Sequence, residues 1–470
     1  MTEVRVQPQG ADDTAPRPAA DRRMTYTEFL DNSPMSPFLW FLLIGCIVAQ
    51  ILDGFNFQST SFVLPLVIKE FNINQTQAGA LGTFTNLGLM FGALTAGPIS
   101  DRIGRRPMFQ VVLFSYAFGT FLSAISPSYG FLLAARFVTG LGIGGEFPVV
   151  ATMLAEFAPK NLRHVFVGMF TIGYSLGWFV CAAAANLVVQ PFGWRALYLL
   201  GVAPALLIFY VRAFIPESVR FLLDKGRVEE AGEVVRKVAR RNGITNIDLV
   251  PPPASQRKAS LGLKKQYSML SVVAVPLIVL AFFHMSNNVQ VVGFQTWLPS
   301  IFVKAGFTLT KSFKFTMIVL AVTPIGQLFA IWLQDKMPRK WAMMLLSAIS
   351  ALCFVGSGLG FEFKYPIAVI IACYVGYQFF SGGVSPILST LATEIFPTRV
   401  RSLAYGILSA CARVGSATGP LILGFFLTLG TQIHQIIYYF ALPLVTAAIV
   451  VVIFIKTDAR DKGLEEVVEV

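Results

Sequence analysis

Twelve long apolar stretches dominate the sequence, and each is long enough to cross a lipid bilayer as one α-helix, which takes about 20 residues. Only 13% of the 470 residues are charged, whereas soluble domains carry about 25%, and the mean hydropathy is +0.66. The sequence therefore predicts an all-α membrane protein with twelve transmembrane helices. The predicted spans are residues 38–66, 77–99, 107–126, 129–156, 164–189, 194–215, 270–300, 313–334, 341–361, 365–394, 402–428 and 433–456.

A polar segment over residues 216–269 separates six predicted spans from the other six. It contains an amphipathic piece, three consecutive prolines and a basic run, which together indicate a linker at the membrane surface. The predicted organisation is a disordered tail over 1–37, a six-helix bundle over 38–215, the linker over 216–269, a second six-helix bundle over 270–456 and a tail over 457–470.

The formal net charge of +12 comes from basic residues that cluster on one side of the predicted spans. The positive-inside rule assigns that side to the cytoplasm. We therefore expect a multi-pass protein of the cell inner (plasma) membrane with both tails cytoplasmic, and no nucleic-acid partner. The five cysteines lie in apolar runs without metal-type spacing, so we expect no metal and no cofactor.

The two predicted bundles repeat each other. The pattern GGxxP at residues 144–148 recurs at residues 382–386, and Glu156 recurs as Glu394, at the same offset (382 − 144 = 394 − 156). Parallel repeats of this kind imply a pseudo-two-fold axis along the membrane normal. They also predict a substrate site between the bundles, near the membrane midplane.

A charged loop joins the second and third spans, and a shorter echo of it begins at Asp335. This loop resembles the signature loop of the major facilitator superfamily, and the resemblance extends over about residues 38–456. It implies two pseudo-symmetric six-helix bundles that rock against each other. Asp101 can accept hydrogen bonds from helix N-termini and neighbouring arginines, which would clamp the bundles on the cytoplasmic side. The alternative is a basic loop without a gating role. The predicted gating residues are Gly97, Asp101, Arg102, Gly104, Arg105, Arg106 and Asp335.

Three ionisable residues, Asp53, Arg136 and Glu146, lie inside predicted spans, where an unpaired charge costs several kcal/mol. Resemblance to sugar porters and related proton symporters implies that Asp53 and Arg136 form the proton-coupling pair. Glu146 lies on another face of the helix that carries Arg136, and it is a candidate for a second proton site or for part of the substrate site. The alternatives are a static ion pair and a carboxylate hydrogen-bonded within the helix packing.

Arg413 in the eleventh span is suited to bind a carboxylate, because a guanidinium in a dry cavity can donate two parallel hydrogen bonds to it. Polar and aromatic side chains on spans one, five, seven and ten are suited to a planar substrate. The alternatives are helix packing for these stripes and a structural pair for Arg413. The predicted substrate contacts besides Arg413 are Asn56, Tyr174, Trp178, His284, Asn288, Gln295, Tyr377 and Gln378.

The stretch from Asp53 to Asn56 resembles the first-span motif of aromatic acid/proton symporters, and the regions around Glu146 and Trp178 resemble nicotinate-type transporters. These resemblances imply a secondary transporter rather than an enzyme. It would import a small organic acid, an aromatic carboxylate in particular, with protons as the coupling ion and by alternating access. The alternative is a proton-coupled exporter or importer of organic cations, drugs or another polar metabolite such as a sugar. We expect a monomer in the lipid bilayer.

Overall fold

The computed structural model describes residues 23–242, 248–251, 273–396 and 400–455, and most of these residues are helical. In chain order the elements are β1 (Arg23–Thr25), α1 (Tyr26–Asp31), α2 (Pro37–Phe71), α3 (Gln75–Ile103), α4 (Arg105–Ala124), α5 (Tyr129–Phe157), α6 (Arg163–Phe192), α7 (Trp194–Leu200), α8 (Pro204–Phe214), α9 (Val219–Asp224), α10 (Val228–Arg241), β2 (Asp248–Val250), α11 (Ala274–Lys304), α12 (Leu309–Ala321), α13 (Thr323–Lys336), α14 (Arg339–Glu362), α15 (Ile367–Ile395), α16 (Arg401–Thr428) and α17 (Ile433–Phe454).

The first membrane-spanning helix shows how local sequence sets the bounds of an element. The Ser36 hydroxyl caps α2 by accepting a hydrogen bond from the Leu39 backbone N–H at 3.4 Å, and Pro37 fits the first helical turn. The helix ends before Asn72, which adopts the left-handed conformation with a φ of 48°. The resulting 35-residue helix is longer than the predicted span, and Asp53 lies near its middle.

The described residues contain twelve helical crossings, as predicted. Eleven have the length and hydropathy of a membrane span, and two of these combine consecutive helices, α7 with α8 and α12 with α13. The twelfth is α3, which has 29 residues but more polar ones, and which packs between α5 and α16. A side chain at Gly140 of α5 would collide with the Thr85 carbonyl of α3, so glycine allows these helices to pack closely. The fold class is therefore confirmed.

The two halves of the molecule, α2 to α8 and α11 to α17, make equivalent contacts. Arg105 pairs with Glu156 at 3.8 Å, and at the repeated positions Arg339 pairs with Glu394 at 3.0 Å. The halves meet where α2 packs on α11, α3 on α16 and α6 on α12. The pseudo-two-fold axis relates α2 to α11 and exchanges the other two contacts, which is the arrangement that a parallel repeat implies.

The halves are closed against each other on one side of the membrane only. We call the side on which α2 begins the basic side, and the other the opposite side. Hydrogen bonds between the halves cluster toward the opposite side, where the Ser61 hydroxyl donates to the Gln295 carbonyl at 2.5 Å and the Thr76 and Thr428 hydroxyls lie 2.9 Å apart. On the basic side the Asp101 side chain is 68% exposed. This conformation therefore opens toward the basic side.

The prediction of a disordered tail was wrong for residues 23–36. Strand β1 pairs in parallel with β2, and α1 follows it directly. Tyr26, Phe29 and Leu30 are 6%, 3% and 3% exposed, because they pack into the apolar cluster that also contains side chains of α9 and α10. Residues of the tail thus pack against an apolar surface of the linker helices, a long-range contact that the polar composition of the tail does not reveal.

The remaining parts of the predicted organisation are described only in part. Helices α9 and α10 and strand β2 occupy the region predicted as a linker. Residues 1–22, 243–247, 252–272, 397–399 and 456–470 lie outside the described residues. The predicted tails therefore remain predictions over 1–22 and 457–470.

Candidate functional site

Two carboxyl groups meet inside the amino-terminal half. Asp53 projects from the middle of α2 and Glu146 from α5, and the two residues are 1% and 0% exposed. The two side chains lie near each other, and Asp53 Oδ1 and both carboxyl oxygens of Glu146 are buried without a hydrogen-bond partner among the described residues. Two adjacent carboxylates cannot both be ionised without solvent or a cation between them, so a hydrogen bond between them requires a shared proton. We call Asp53 and Glu146 the carboxyl pair.

Tyr116 of α4 completes the surroundings of the carboxyl pair, and sequence reasoning missed it. Its side chain is fully buried near both carboxyl groups, and its hydroxyl has no hydrogen-bond partner among the described residues. A tyrosine in an apolar run resembles any other packing residue. Only the packing of α4 on α5 reveals that this residue lies near the carboxyl pair.

Arg413 of α16 approaches the carboxyl pair from the other half. Its side chain is partly exposed and makes no ion pair or hydrogen bond within the part of the chain that the structure describes. It is close enough to Asp53, Tyr174 and His284 to interact with them electrostatically. A guanidinium without an anionic partner in a membrane protein is a strong candidate for binding an anion.

Aromatic rings of the amino-terminal half line the same region. The Tyr174 and Trp178 rings of α6 meet edge to face at 5.4 Å, and Tyr174 lies 5.8 Å from the Phe57 ring of α2. Tyr174 and Trp178 are partly exposed, and the indole N–H of Trp178 has no hydrogen-bond partner among the described residues. The structure thus brings these two predicted contacts together, with Tyr174 near Arg413.

The predicted ion pair between Asp53 and Arg136 is absent from the described contacts of this conformation, and this prediction needs correction. Arg136 is fully buried, donates to the Asn56 carbonyl oxygen at 2.8 Å and lies over the Tyr198 ring at 5.2 Å. Asn56 is almost one helical turn beyond Asp53, so Arg136 binds the α2 backbone at a different level from the carboxyl pair. Asp53 has Glu146 as its neighbour instead.

The prediction that Asn56 contacts the substrate is also wrong, because its side chain is hydrogen-bonded inside the amino-terminal half. Its amide N–H groups donate to the Gly201 carbonyl at 2.9 Å and the Leu52 carbonyl at 3.0 Å, and its amide oxygen accepts from the Thr120 hydroxyl at 2.8 Å. It is fully buried. Both N–H donors of this amide are used and the residue is inaccessible, so we remove Asn56 from the candidate site.

Gln295 holds the two halves together on the opposite side. Its amide N–H donates to the Gln58 side-chain oxygen at 2.9 Å, and the residue is 4% exposed. In this conformation it contributes to closure rather than to a site that is open to substrate. Its predicted role as a substrate contact is therefore replaced by a role in the closed interface.

The remaining predicted contacts of the carboxy-terminal half are engaged within that half. Asn288 accepts from the Ser416 hydroxyl at 3.1 Å, and Gln378 donates to the Thr323 hydroxyl at 3.0 Å. The Tyr377 ring packs 4.7 Å from the Phe354 ring and is 2% exposed. Asn288 thus joins α11 to α16, which carries Arg413, whereas Gln378 and Tyr377 join α15 to α13 and α14. The structure does not bring Gln378 or Tyr377 to the carboxyl pair.

The predicted gating loop is tied to its own half in this conformation. Asp101 pairs with Arg105 at 2.6 Å, and the Glu217 carboxylate accepts from the backbone N–H groups of Arg105 and Arg106 at 2.9 and 3.2 Å. Glu217 thereby caps α4, a role that sequence reasoning missed. Gly104 has a φ of 109°, which suits glycine at the turn between α3 and α4.

The other predicted gating residues flank this turn or its repeat. Gly97 lies in the last turns of α3, where a side chain would meet open space, and Arg102 is exposed. Asp335 lies near the end of α13, at the repeated position. A clamp between the halves, as predicted for Asp101, is not among the described contacts of this open conformation.

Comparisons with known proteins agree with this architecture. The family model described as sugar (and other) transporter matches residues 40–470. The chain is 28% identical over 441 residues to the niacin transporter NiaP of Acinetobacter baylyi, covering 93% of this chain and 98% of that one. It is 26% identical over 445 residues to the benzoate transport protein of the same organism, with coverages of 93% and 94%. The inward-open xylose transporter XylE from E. coli superposes with a TM-score of 0.72 at 17% identity, over 91% of this chain and 99% of that one, which shows the shared fold.

Proposed function

The chain belongs to the sugar (and other) transporter family of the major facilitator superfamily, and we propose that it imports a small aromatic carboxylate together with protons. The observation that carries the proposal is the unpaired guanidinium of Arg413, which lies across the boundary between the halves from the carboxyl pair. The relatives named for niacin and benzoate transport support the same substrate class, a carboxyl group on a planar ring.

The charge balance of the site favours an anion. Arg413 can bind a carboxylate through two parallel hydrogen bonds, which is the geometry that a guanidinium offers. The partly exposed rings of Tyr174 and Trp178 then offer an apolar wall for the substrate ring. An organic cation would place a second positive charge beside Arg413, and this observation disfavours the organic-cation alternative.

Binding of the acid and of a proton are linked through Arg413. While Arg413 is free, its positive charge partly offsets the negative charge that the carboxyl pair carries when it has lost a proton. A bound carboxylate neutralises Arg413, so the carboxyl pair then binds a proton more readily. Because such coupling is reciprocal, protonation of the pair also strengthens acid binding. This linkage gives proton symport without a direct bond between the proton and the substrate.

The transport cycle that we propose alternates which side of the site is open. The basic side is cytoplasmic and the membrane is the cell inner membrane, in keeping with the positive-inside rule. The present conformation then faces the cytoplasm, where acid and proton are released. Separation of the contacts around Ser61 and Gln295 opens the site to the exterior, while the basic-side ends of the halves approach each other.

The proposal is tested by uptake into liposomes that contain the purified protein and carry an inward proton gradient. We expect uptake of one or more of benzoate, hydroxybenzoates and nicotinate, abolished by a protonophore, after subtraction of passive entry into empty liposomes. Arg413→Ala should lower kcat/KM about 100-fold or more, because charge-assisted hydrogen bonds are lost. Arg240→Ala, at an exposed position on α10, is the matched control.

Two results would contradict the proposal. Proton-driven movement of an organic cation or a sugar, without uptake of any acid, would show that the substrate class is wrong. Normal acid uptake by Arg413→Ala would show that the acid binds elsewhere.

A further inference from the structure

A cavity of about 390 Å³ opens on the opposite side of the carboxy-terminal half, away from the carboxyl pair. It lies where the end of α11, the turn from α14 to α15 and the start of α17 meet. Its size falls within the range of about 300–1,000 Å³ that is typical of small-molecule sites. We call it the outer cavity, and its lining includes Phe307, Phe361, Lys364, Ile370, Gln432 and His434.

The equivalent corner of the amino-terminal half is filled by two aromatic rings. Trp194 begins α7, is 4% exposed and packs against Phe71 with the ring centroids 6.2 Å apart. Ala305 takes the place of Phe71, counted from the proline inside each helix (305 − 299 = 71 − 65). Gln432 and Ile433 take the place of Trp194 at the start of α17. The volume that the rings fill in one half is therefore open in the other.

The charges of the two corners also differ. In the amino-terminal half, Glu70 pairs with Arg195 at 2.7 Å and accepts a hydrogen bond from Trp194 Nε1 at 2.5 Å. Lys304 stands at the position of Glu70 (304 − 299 = 70 − 65), directly before the lining residue Ala305. A basic residue at the outer cavity thus replaces the acidic member of an ion pair.

Two further basic side chains, Lys364 and His434, line the outer cavity itself. Neither makes an ion pair or a hydrogen bond among the described residues, and none of the described lining residues is acidic. The nearby Glu362 accepts a hydrogen bond from the Tyr438 hydroxyl at 2.7 Å. Lys364 also has a φ of 53°, a left-handed conformation in which glycine would be less strained. The outer cavity therefore combines apolar walls with a basic rim.

We infer that the outer cavity binds a small aromatic carboxylate, at a second site that does not include Arg413. The class of acid rests on the proposed function, whereas the site itself follows from the cavity and its charges. Phe307 and Phe361 offer apolar walls to the ring of the acid. Lys364 and His434 can donate hydrogen bonds to its carboxylate, and the one from the lysine ammonium is charge-assisted.

The experiment follows the fluorine nuclear relaxation of 4-fluorobenzoate bound to the purified protein in nanodiscs of zwitterionic lipid. After removal of the native cysteines, a nitroxide label replaces Leu429, an exposed residue just before the start of α17. We expect the label to speed relaxation both in the otherwise unaltered protein and in Arg413→Ala. A label at Ile44, which is exposed on α2 toward the basic side, is the control. Absence of the effect from both proteins labelled at Leu429 would overturn the inference.

Two variants assign the binding to the outer cavity. Gln432→Trp places a tryptophan where the amino-terminal half has one, and should abolish the effect by filling the cavity. Lys364→Gly removes the cation and suits the left-handed backbone, so the fold should be kept while binding weakens about tenfold or more. Lys69→Ala, at an exposed lysine on the same side of the other half, is the matched control. Unchanged binding in both Gln432→Trp and Lys364→Gly would overturn the inference.

A competitor distinguishes an aromatic acid from a lipid headgroup. Glycerol phosphate carries the anionic phosphate of a headgroup without an apolar ring, so it leaves the aromatic walls unfilled and should not displace 4-fluorobenzoate. Displacement at equal concentration would identify a phosphate site and overturn the inference.

Failure of this inference and failure of the proposed function give different results. If 4-fluorobenzoate binds beside Leu429 but no acid is taken up into liposomes, the proposed function is wrong and the outer cavity remains a binding site. If acid uptake depends on Arg413 but no acid binds beside Leu429, the proposed function stands and only the outer cavity is misassigned.

Discussion

Closure of the opposite side depends on a glycine, and its replacement gives a sharp test of the alternating-access account. A Cβ atom at Gly79 of α3 would collide with the Pro420 carbonyl oxygen of α16, and would lie 3.1 Å from the carbonyl carbon and 3.2 Å from the Leu421 Cα. Because these atoms belong to backbone, Gly79→Ala forces the halves apart. Overpacking of this kind costs about 1–3 kcal/mol. The ratio of opposite-side-closed to opposite-side-open molecules should therefore fall about 5- to 150-fold.

The population shift can be measured by electron–electron double resonance in nanodiscs. Spin labels would replace Lys69 and Lys304, which are exposed residues in the last turns of α2 and α11, after removal of the native cysteines. Gly79→Ala should increase a longer-distance population between the labels. Gly130→Ala on the same side introduces a Cβ with no atom within 4 Å and is the matched control. Identical distance distributions for Gly79→Ala and the unaltered protein would refute the reasoning.

Three further substitutions test separate parts of the structure. Asn56→Leu should destabilise the protein by about 2–4 kcal/mol, because the Gly201 carbonyl and the Thr120 hydroxyl lose their partner. We expect a lower thermal midpoint with an unchanged KM. A raised KM with an unchanged thermal midpoint would contradict the structural role of Asn56. Glu146→Gln should abolish uphill accumulation of acid while exchange of labelled for unlabelled acid continues, and retained accumulation would remove Glu146 from the coupling site. Asp31→Asn should cost at most about 1 kcal/mol by loss of its ion pairs with Arg163 at 2.8 Å and Arg220 at 3.5 Å. The resulting fall in the thermal midpoint should be smaller in high salt, and a fall that salt leaves unchanged would contradict this assignment.

The fold could be predicted from the sequence because each of its determinants is local or repeated. Apolar runs of membrane-spanning length predict the helices. The repeat, in which Glu394 is equivalent to Glu156, predicts how the two halves are related. The order of residues 23–36 was missed because Tyr26 and its neighbours are buried by helices more than 190 positions later in the chain (219 − 26 = 193). Neither composition nor periodicity encodes such a contact.

From the sequence, only the charged residues of the candidate site could be predicted. Asp53, Glu146 and Arg413 stand out because ionisable residues are costly within a span. The proximity of Asp53 to Glu146 could not be predicted, because the spacing of residues along one helix does not reveal which residues of a neighbouring helix lie at the same level. Asn56 shares a face with Asp53 by spacing, yet its amide is bound to the Gly201 carbonyl. A polar residue that joins two helices has the same sequence pattern as one that binds a substrate.

Proton uptake that accompanies acid binding tests the central claim most directly. The purified protein would be mixed with the aromatic acid that is transported best, in weakly buffered solution, and protons would be followed with a pH-indicator dye. The account predicts that acid binding draws protons from solution, and that Glu146→Gln still binds the acid but takes up fewer protons. Acid binding without proton uptake by the unaltered protein, or equal proton uptake by Glu146→Gln, would contradict the linkage between Arg413 and the carboxyl pair.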